Sequence, residues 1–333
     1  LEVLSSATRE QIEELPEYVQ NTNFTVQHIE QGHVFDLEIH VYYEQEHASV
    51  RIVDTHTNIV QIEKNWQVIF EDKTTSLELK ADHSALIMKQ IWDFSQTVDI
   101  DDVKEILDRQ IACNMAIANE GIHNSYGANI GHVILNMDSD CVKTRAKAYA
   151  AAGSDARMNG CELPVVINSG SGNQGITCCV PVVVYAKELN CTQKQLYRAL
   201  VLSNLTAIYI KTGIGTLSAF CGAVSSGAAA GAGIAYLHNG TYKEIQHTIV
   251  NALAILSGTI CDGAKASCAA KIASSVDAGI MGYYMYKNKQ QFYAGDGIVA
   301  HSVDETIQNI GTLGSQGMLQ TNDKIIEMMI SCD

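Results

Sequence analysis

Between residues 24 and 71 apolar and polar positions alternate. TVQHIEQG, VFDLEIHVYYE, ASVRIVDTHTNIVQIEK and WQVIFED place Val, Ile, Phe and Tyr at every second position. A period of two marks strands with one buried face and one wet face. Breaks at Gln31-Gly32, Glu44-Gln45-Glu46 and Lys64-Asn65 divide the run into an antiparallel meander of three to four strands. Ahead of it, residues 5 to 20 predict a short polar helix, capped by Ser6 or Thr8 and acidic in its first turn.

After about residue 76 the period lengthens. ALIMKQIWDFSQ and VKEILDRQIACNMAIANEGIH repeat apolar residues at steps of three and four, so both read as helices, the second started by Asp99 or by Asp101-Asp102. Residues 141 to 153 predict another, and about five more follow, joined by loops rich in Gly and Ser. The expected fold class is α+β: a small α+β lobe with an antiparallel sheet over 1–75, then a large all-helical catalytic domain over 76–333 with Gly/Ala-rich central helices. Residues 212 to 237 carry no charge, which raises the question of a membrane span. Their Gly, Ala and Ser content favours a central helix pressed closely against neighbours, with 249–260 as its partner.

Charge narrows the function. Twenty-two basic against 37 acidic residues give −15, so the chain lacks the basic face needed to displace counterions from nucleic acid or to dock on an anionic membrane. With 47% hydrophobic and 18% charged residues it can bury a large core. The chain opens Leu1-Glu2-Val3-Leu4, without a basic stretch leading into an apolar one, so a cytoplasmic location is expected. Ten cysteines in that setting are read as reduced thiols or metal ligands rather than disulfides. The small-residue helices suit either an intrachain core or a homo-oligomer face.

Three constellations could carry chemistry. Cys221 in SAFCGAV and Cys261 and Cys268 in ICDGAKASCAAK are separated by forty and seven residues. Thiolates are the preferred ligands of iron–sulfur clusters. Three of them, rather than four, would leave one iron open as a Lewis acid. On spacing alone the same thiols also read as small buried hydrophobes. The loop from Asn168 to Gly175, with Ser169, Gly170, Ser171, Asn173 and Gln174, presents backbone N–H groups and small polar side chains suited to an anion at a helix N-terminus, or to an ordinary turn. His56, Thr57 and Asn58 interrupt an apolar alternation and read as a carboxylate-binding cluster or a surface loop. Arg157, Lys211, Asp262 and Lys265 stand beside small neighbours and read as supporting charges or as ordinary helix-end ones. No H-E-x-x-H, G-x-S-x-G or Walker pattern is present.

Taken together, DTHTNI, SDARMNGCELPVVINSGSGNQGI, KTGIGTLSAFCGAVSSGAAAGAGI, ICDGAKASCAAKIAS, GDGIV and IGTLGSQGM resemble the L-cysteine desulfidase family, which is related to the iron–sulfur L-serine dehydratase alpha chains. The resemblance runs from about Leu1 to Cys332. It implies a [4Fe–4S] cluster on Cys221, Cys261 and Cys268, lost in an aerobic preparation. It also implies β-elimination from a small L-amino acid: L-cysteine would give pyruvate, ammonia and sulfide, with L-serine as the alternative substrate. A truncated, clusterless relative without activity is the other alternative. His56, Thr57, Asn58 and the Ser169 to Gln174 loop would hold the substrate. The chain departs from the family in lacking its N-terminal segment with a Gly-Cys-Thr-Glu-Pro motif, whose Cys is the usual candidate base, so the base here is unassigned. A second departure is Ala300-His301 after GDGIV, where the family has a Gly and an acidic residue.

Overall fold

The structure, a computed structural model, describes residues 7–29, 33, 35–55, 57–72 and 82–331. The chain divides into a helical unit, Leu1–Phe24 with Ala85–Ile325, and a sheet unit, Thr25–Ser84 with Ile326–Asp333. The first helix, α1 (Arg9–Asn21), opens on a capping box between Thr8 and Gln11, as the T-x-x-Q spacing requires.

In the sheet unit β1 (Asp36–Tyr43), β2 (Glu46–Val53), β3 (Ile59–Lys64) and β4 (Gln67–Glu71) pair antiparallel in the order of the chain, which makes the expected meander. The register lines up Ile39 with Val50, Val50 with Ile62 and Ile62 with Phe70, so one face is apolar. Here the expectation of a buried apolar face is corrected. Leu37, Ile39, Val41 and Phe70 are exposed, whereas His47 and Ser49 on the opposite face are buried. The cause is aromatic: the His47 ring stacks on Trp66 at 4.0 Å and meets the Tyr42 ring, tilted by 31°, at 4.9 Å. His47 also meets His40 through a 2.9 Å ring hydrogen bond.

The helical unit continues with α2 (Met88–Thr97), α3 (Ile100–His123), α4 (Ile130–Met137), α5 (Val142–Met158), α6 (Gly172–Glu188), α7 (Gln193–Ile214), α8 (Gly222–Leu237), α9 (Tyr242–Ile255), α10 (Cys268–Lys287), α11 (Val303–Thr312) and α12 (Leu319–Ile330), whose residues from Ile326 on count with the sheet unit. A π-helical turn, Leu313–Gly317, joins the last two. Almost all of α8 is buried, and it packs on α6, α7, α9 and α10. Its small residues are a steric requirement. A Cβ on Gly279 of α10 would lie 2.2 Å from the Gly227 carbonyl oxygen of α8. This close crossing is what the uncharged Gly/Ala run encodes. That run is not one span: α7 ends at Ile214, a loop intervenes, and α8 has 16 residues. No helix among the described residues is long and apolar enough to cross a membrane.

Candidate active site at paired thiols and open helix ends

An isolated antiparallel bridge, Phe220 to Ile260, joins two segments forty residues apart. Cys221 N donates to the Thr259 carbonyl at 3.1 Å and Cys261 N to the Ala219 carbonyl at 2.6 Å. The Phe220 side is tied down further: Ser218 Oγ donates to the Gly314 carbonyl at 2.6 Å, and Ala219 N to Asn322 Oδ1. These bonds put the two thiols in hydrogen-bond contact, with Cys221 as donor and Cys261 as acceptor. The proton is therefore shared unequally. The contact and burial push the Cys221 thiol up, while Cys261 is pulled down to about 6. For Cys261 the Cys221 hydrogen bond is the largest cause, opposed by desolvation and aided by Gly263 N–H and by the Lys271 and Lys211 charges.

Cys268 opens α10. Its Sγ faces its own loop, accepting from Lys265 N at 3.5 Å and donating to the Gly263 carbonyl at 3.7 Å. Two cations act on it electrostatically, Arg157 and Lys271. Asp262 binds both Lys265 and Lys271 through short contacts that hold its carboxyl down at about 2.

The Gly/Ser loop reaches the same neighbourhood. Asn168 and Ser171 exchange backbone hydrogen bonds of 3.1 and 3.0 Å around a tight turn. Ser169 (φ 48°) and Gly170 (φ 81°) form its tip, the latter at a value that favours glycine. Gly172 to Gly175 are already the first turn of α6, which begins at Ser171 without a side-chain cap. Arg157 Nη1 donates to Asn173 Oδ1 at 3.3 Å, and the Arg157 side chain lies against Gly172. Gln174 is buried and rests on Gly222, where a Cβ would come within 2.6 Å of its side chain; its Oε1 has no hydrogen-bond partner among the described residues. The residue before Gly222 is Cys221, the uncapped start of α8. α10 also lacks a side-chain cap at Ser267, but its first N–H groups are taken, Cys268 N by the Lys265 carbonyl at 2.9 Å and Ala269 N by the Ala266 carbonyl at 3.2 Å, so the open starts are those of α6 and α8. Open N–H groups with the positive end of the helix dipole bind anions.

The structure thus brings Arg157, Asn173, Gln174, Lys211, Cys221, Cys261, Asp262, Lys265 and Cys268 into one connected neighbourhood of the helical unit. Thr57 and Asn58 belong to the sheet unit, in the loop from β2 to β3, where Asn58 Nδ2 donates to the Val53 carbonyl at 2.9 Å. His56 lies outside the described residues. Sequence reasoning missed Lys271, which binds Asp262 and acts on Cys221 and Cys268. Its only signal was a place three residues after Cys268.

The donor set suits an iron–sulfur cluster in its chemistry: soft sulfur ligands, N–H groups on sulfur, and surrounding cations. Two of the three sulfurs are already together. Among the described residues, however, no three His, Cys, Asp or Glu side chains are arranged to hold a metal ion.

Comparison with known proteins adds the family context. The family model described as serine dehydratase alpha chain matches residues 1–327. A UPF0597 protein of Desulfitobacterium hafniense is 52% identical over 333 residues, which cover 99% of this chain and 77% of the relative. UPF0597 proteins of Lachnoclostridium phytofermentans and Finegoldia magna are each 46% identical, with 99% of this chain covered and 80% and 79% of theirs. No solved structure matches.

Proposed function

Because the chain belongs to the serine dehydratase alpha chain family, a family of iron–sulfur lyases, we propose that it catalyses β-elimination from L-cysteine to pyruvate, ammonia and sulfide. The observation that carries this reading is the hydrogen-bonded Cys221–Cys261 pair beside the open N-termini of α6 and α8 and the Arg157, Lys211 and Lys271 cations. Cys221, Cys261 and Cys268 would hold the cluster, which supplies when bound a Lewis-acidic iron for the departing sulfur.

The chain's own residues account for the rest. Arg157 and the N–H groups opening α6 hold the substrate carboxylate, a planar anion that a guanidinium grips through two nitrogens. The free Oε1 of Gln174 accepts from the substrate amine, which answers its missing partner. Cations near the thiols favour their ionised, ligating form. On the resemblance alone, His56, Thr57 and Asn58 keep a substrate-binding role, with Ser169, Gly170 and Ser171. L-serine is the second reading, favoured by the description of the matching family model.

Anaerobic iron–sulfur reconstitution, followed by assays of sulfide and pyruvate release from L-cysteine and pyruvate release from L-serine, tests the proposal. Sulfide and pyruvate from L-cysteine at the higher kcat/KM is the expected result. Preference for L-serine establishes the second reading instead, and cluster uptake without turnover on either substrate rejects both.

A further inference from the structure

The turn that leads into α6 is held from behind by side-chain amides. Gln110 and Asn114, one helical turn apart on α3, are buried, as is Asn168 of the turn itself. Asn114 grips both backbone groups of Val166, accepting from its N–H at 2.9 Å and donating to its carbonyl at 3.2 Å. Gln110 and Asn204 of α7 exchange two side-chain bonds of 2.8 Å. Asn204 in turn receives Asn168 Nδ2, at 3.3 Å on its backbone carbonyl and at 2.9 Å on its Oδ1. Asn168 Oδ1 then accepts from Ser169 Oγ at 2.8 Å. Backbone carbonyls fix which end of each amide is which, because a carbonyl only accepts. The end of Asn204 that meets the Leu200 carbonyl at 2.9 Å is its NH₂, and so is the end of Asn168 that meets the Asn204 carbonyl. Asn204 Oδ1 is thereby the acceptor for Gln110, for Asn168 and, at 3.4 Å, for the Cys178 thiol. Asn168 is left with its oxygen toward Ser169. A hydroxyl has one hydrogen and two lone pairs, so Ser169, its hydrogen spent on Asn168, offers only lone pairs. Closing the turn does not need this chain, because Asn168 and Ser171 already close it through their backbones. Ser169 is also held at φ 48°, a left-handed conformation that disfavours a residue with a Cβ. Buried, mutually paired amides thus set the direction of one half-buried hydroxyl.

We propose that the chain from the Leu200 carbonyl through Asn204 to Asn168, backed by Gln110, makes Ser169 Oγ a hydrogen-bond acceptor for the ammonium group of the substrate, and so selects amino acids over carboxylic acids that lack the amine. The inference rests on the β-elimination reading, which puts the Ser169 to Gln174 loop at the substrate. A carboxylate only accepts, so it finds no donor at Ser169 and is left to Arg157 and the N–H groups of α6. Asn204 touches no substrate and acts through Asn168, as a positioning residue.

L-alanine and propionate share a carbon skeleton, differ by the amine and carry no leaving group. Both are titrated calorimetrically into the reconstituted protein and into its Ser169→Ala and Asn204→Leu variants, with iron content and circular dichroism read alongside. A hydrogen bond to a charged group corresponds to about 10–100-fold in affinity. The expected result is a loss of that size for L-alanine in Ser169→Ala, with propionate within about twofold of wild type. Asn204→Leu should lower the preference for L-alanine over propionate in the same direction at unchanged iron content. General loss of structure would not move that ratio, because both ligands would weaken alike. Equal weakening of both ligands by Ser169→Ala would make the hydroxyl a donor to the carboxylate and overturns the proposal. So does loss for neither ligand, or a wild-type protein that binds L-alanine no more tightly than propionate. An unchanged ratio in folded Asn204→Leu overturns the positioning role. Where Asn204→Leu fails to fold, Asn168→Ala, which frees the Ser169 hydrogen directly, takes its place and is read the same way. A wild-type protein that eliminates from neither L-cysteine nor L-serine would reject the parent reading instead, a separate outcome read on different ligands.

Discussion

Two sets of helix N-termini in the helical unit are finished in opposite ways. α1, α3, α7, α9 and α11 each have a side chain that accepts a first-turn N–H: Thr8, Asp99, Thr192, Thr241 and Ser302. α2 and α4 borrow one, from Asp304 to Met88 N at 2.9 Å and from Asp155 to Gly131 N at 3.1 Å. α6, α8 and α10 have none. α5 also starts uncapped, at Cys141, so a missing cap alone marks nothing. What sets the three apart is the residues at their starts: Asn173 and Gln174, Cys221, and Cys268. A cap is worth about 1 kcal/mol to a helix. Forgoing it at α6 and α8 leaves N–H donors for anionic groups, whereas at α10 Cys268 N and Ala269 N turn back on the Lys265 and Ala266 carbonyls; the stability comes from close packing of α8 and α10.

The largest effect expected from breaking this contrast is loss of the thiol pair. Mutating an outer-shell partner of a metal ligand typically costs about 10–100-fold in affinity, and losing a ligand costs at least that. Cys261→Ser and Cys221→Ala should therefore reduce iron retained after desalting more than about tenfold, while circular dichroism stays that of the wild type. Full iron retention in both would remove the pair from the ligand set. Next in size is the packing half. Gly279→Ala brings a Cβ against the Gly227 carbonyl, an overpacking that costs about 1–3 kcal/mol. At this chain length that lowers Tm by about 1–2 °C per kcal/mol. Gly258→Ala is the control, since a Cβ there meets nothing within 4 Å. Equal melting temperatures for the two variants would contradict the close-crossing account.

A smaller effect isolates the electrostatics. With Cys261 near 6, its thiolate forms as pH rises through that value, so roughly nine-tenths is ionised at pH 7. Iodoacetamide capture of Cys261 in cluster-free protein should rise with a midpoint near pH 6. The sign of the partner's effect is fixed: Cys221→Ala removes the hydrogen bond that lowers Cys261 most, so the midpoint moves up. A midpoint unmoved by that change would assign the depression to Lys271, Lys211 and the Gly263 N–H instead.

Much of this architecture was legible along the chain, for local reasons. The T-x-x-Q and T-x-x-E spacings announce capping boxes, the period of two announces the meander, and uncharged Gly/Ala runs announce close helix packing. The thiol pair was legible only as three cysteines with suggestive neighbours. Its geometry depends on the bridge from Phe220 to Ile260, and no periodicity reports a two-residue pairing across forty residues. Gln174 against Gly222 and Arg157 against Gly172 are likewise long-range contacts made by small residues whose identity alone does not name a partner. The sheet misled in a different way. Alternation identifies two faces, but His47, Tyr42 and Trp66 form an aromatic cover on the polar one, so burial there follows ring stacking rather than hydropathy.

The smallest predicted effect is the most direct test of the capping contrast. Thr192 accepts from Gln195 N at 3.3 Å while Gln195 Oε1 accepts from Thr192 N at 2.9 Å. Thr192→Ala removes one half of that box and should cost about 1 kcal/mol in urea unfolding, with no change in sulfide release. Ser171 starts α6 but caps nothing with its side chain, so Ser171→Ala should leave the urea midpoint where it was. If its hydroxyl contacts substrate, KM rises; if only the backbone N–H groups do, neither measurement moves. Either kinetic result preserves the contrast, because the contrast predicts stability. A loss in Ser171→Ala equal to that in Thr192→Ala would end it, since the α6 terminus would then be capped after all and its N–H groups would not be free for an anion.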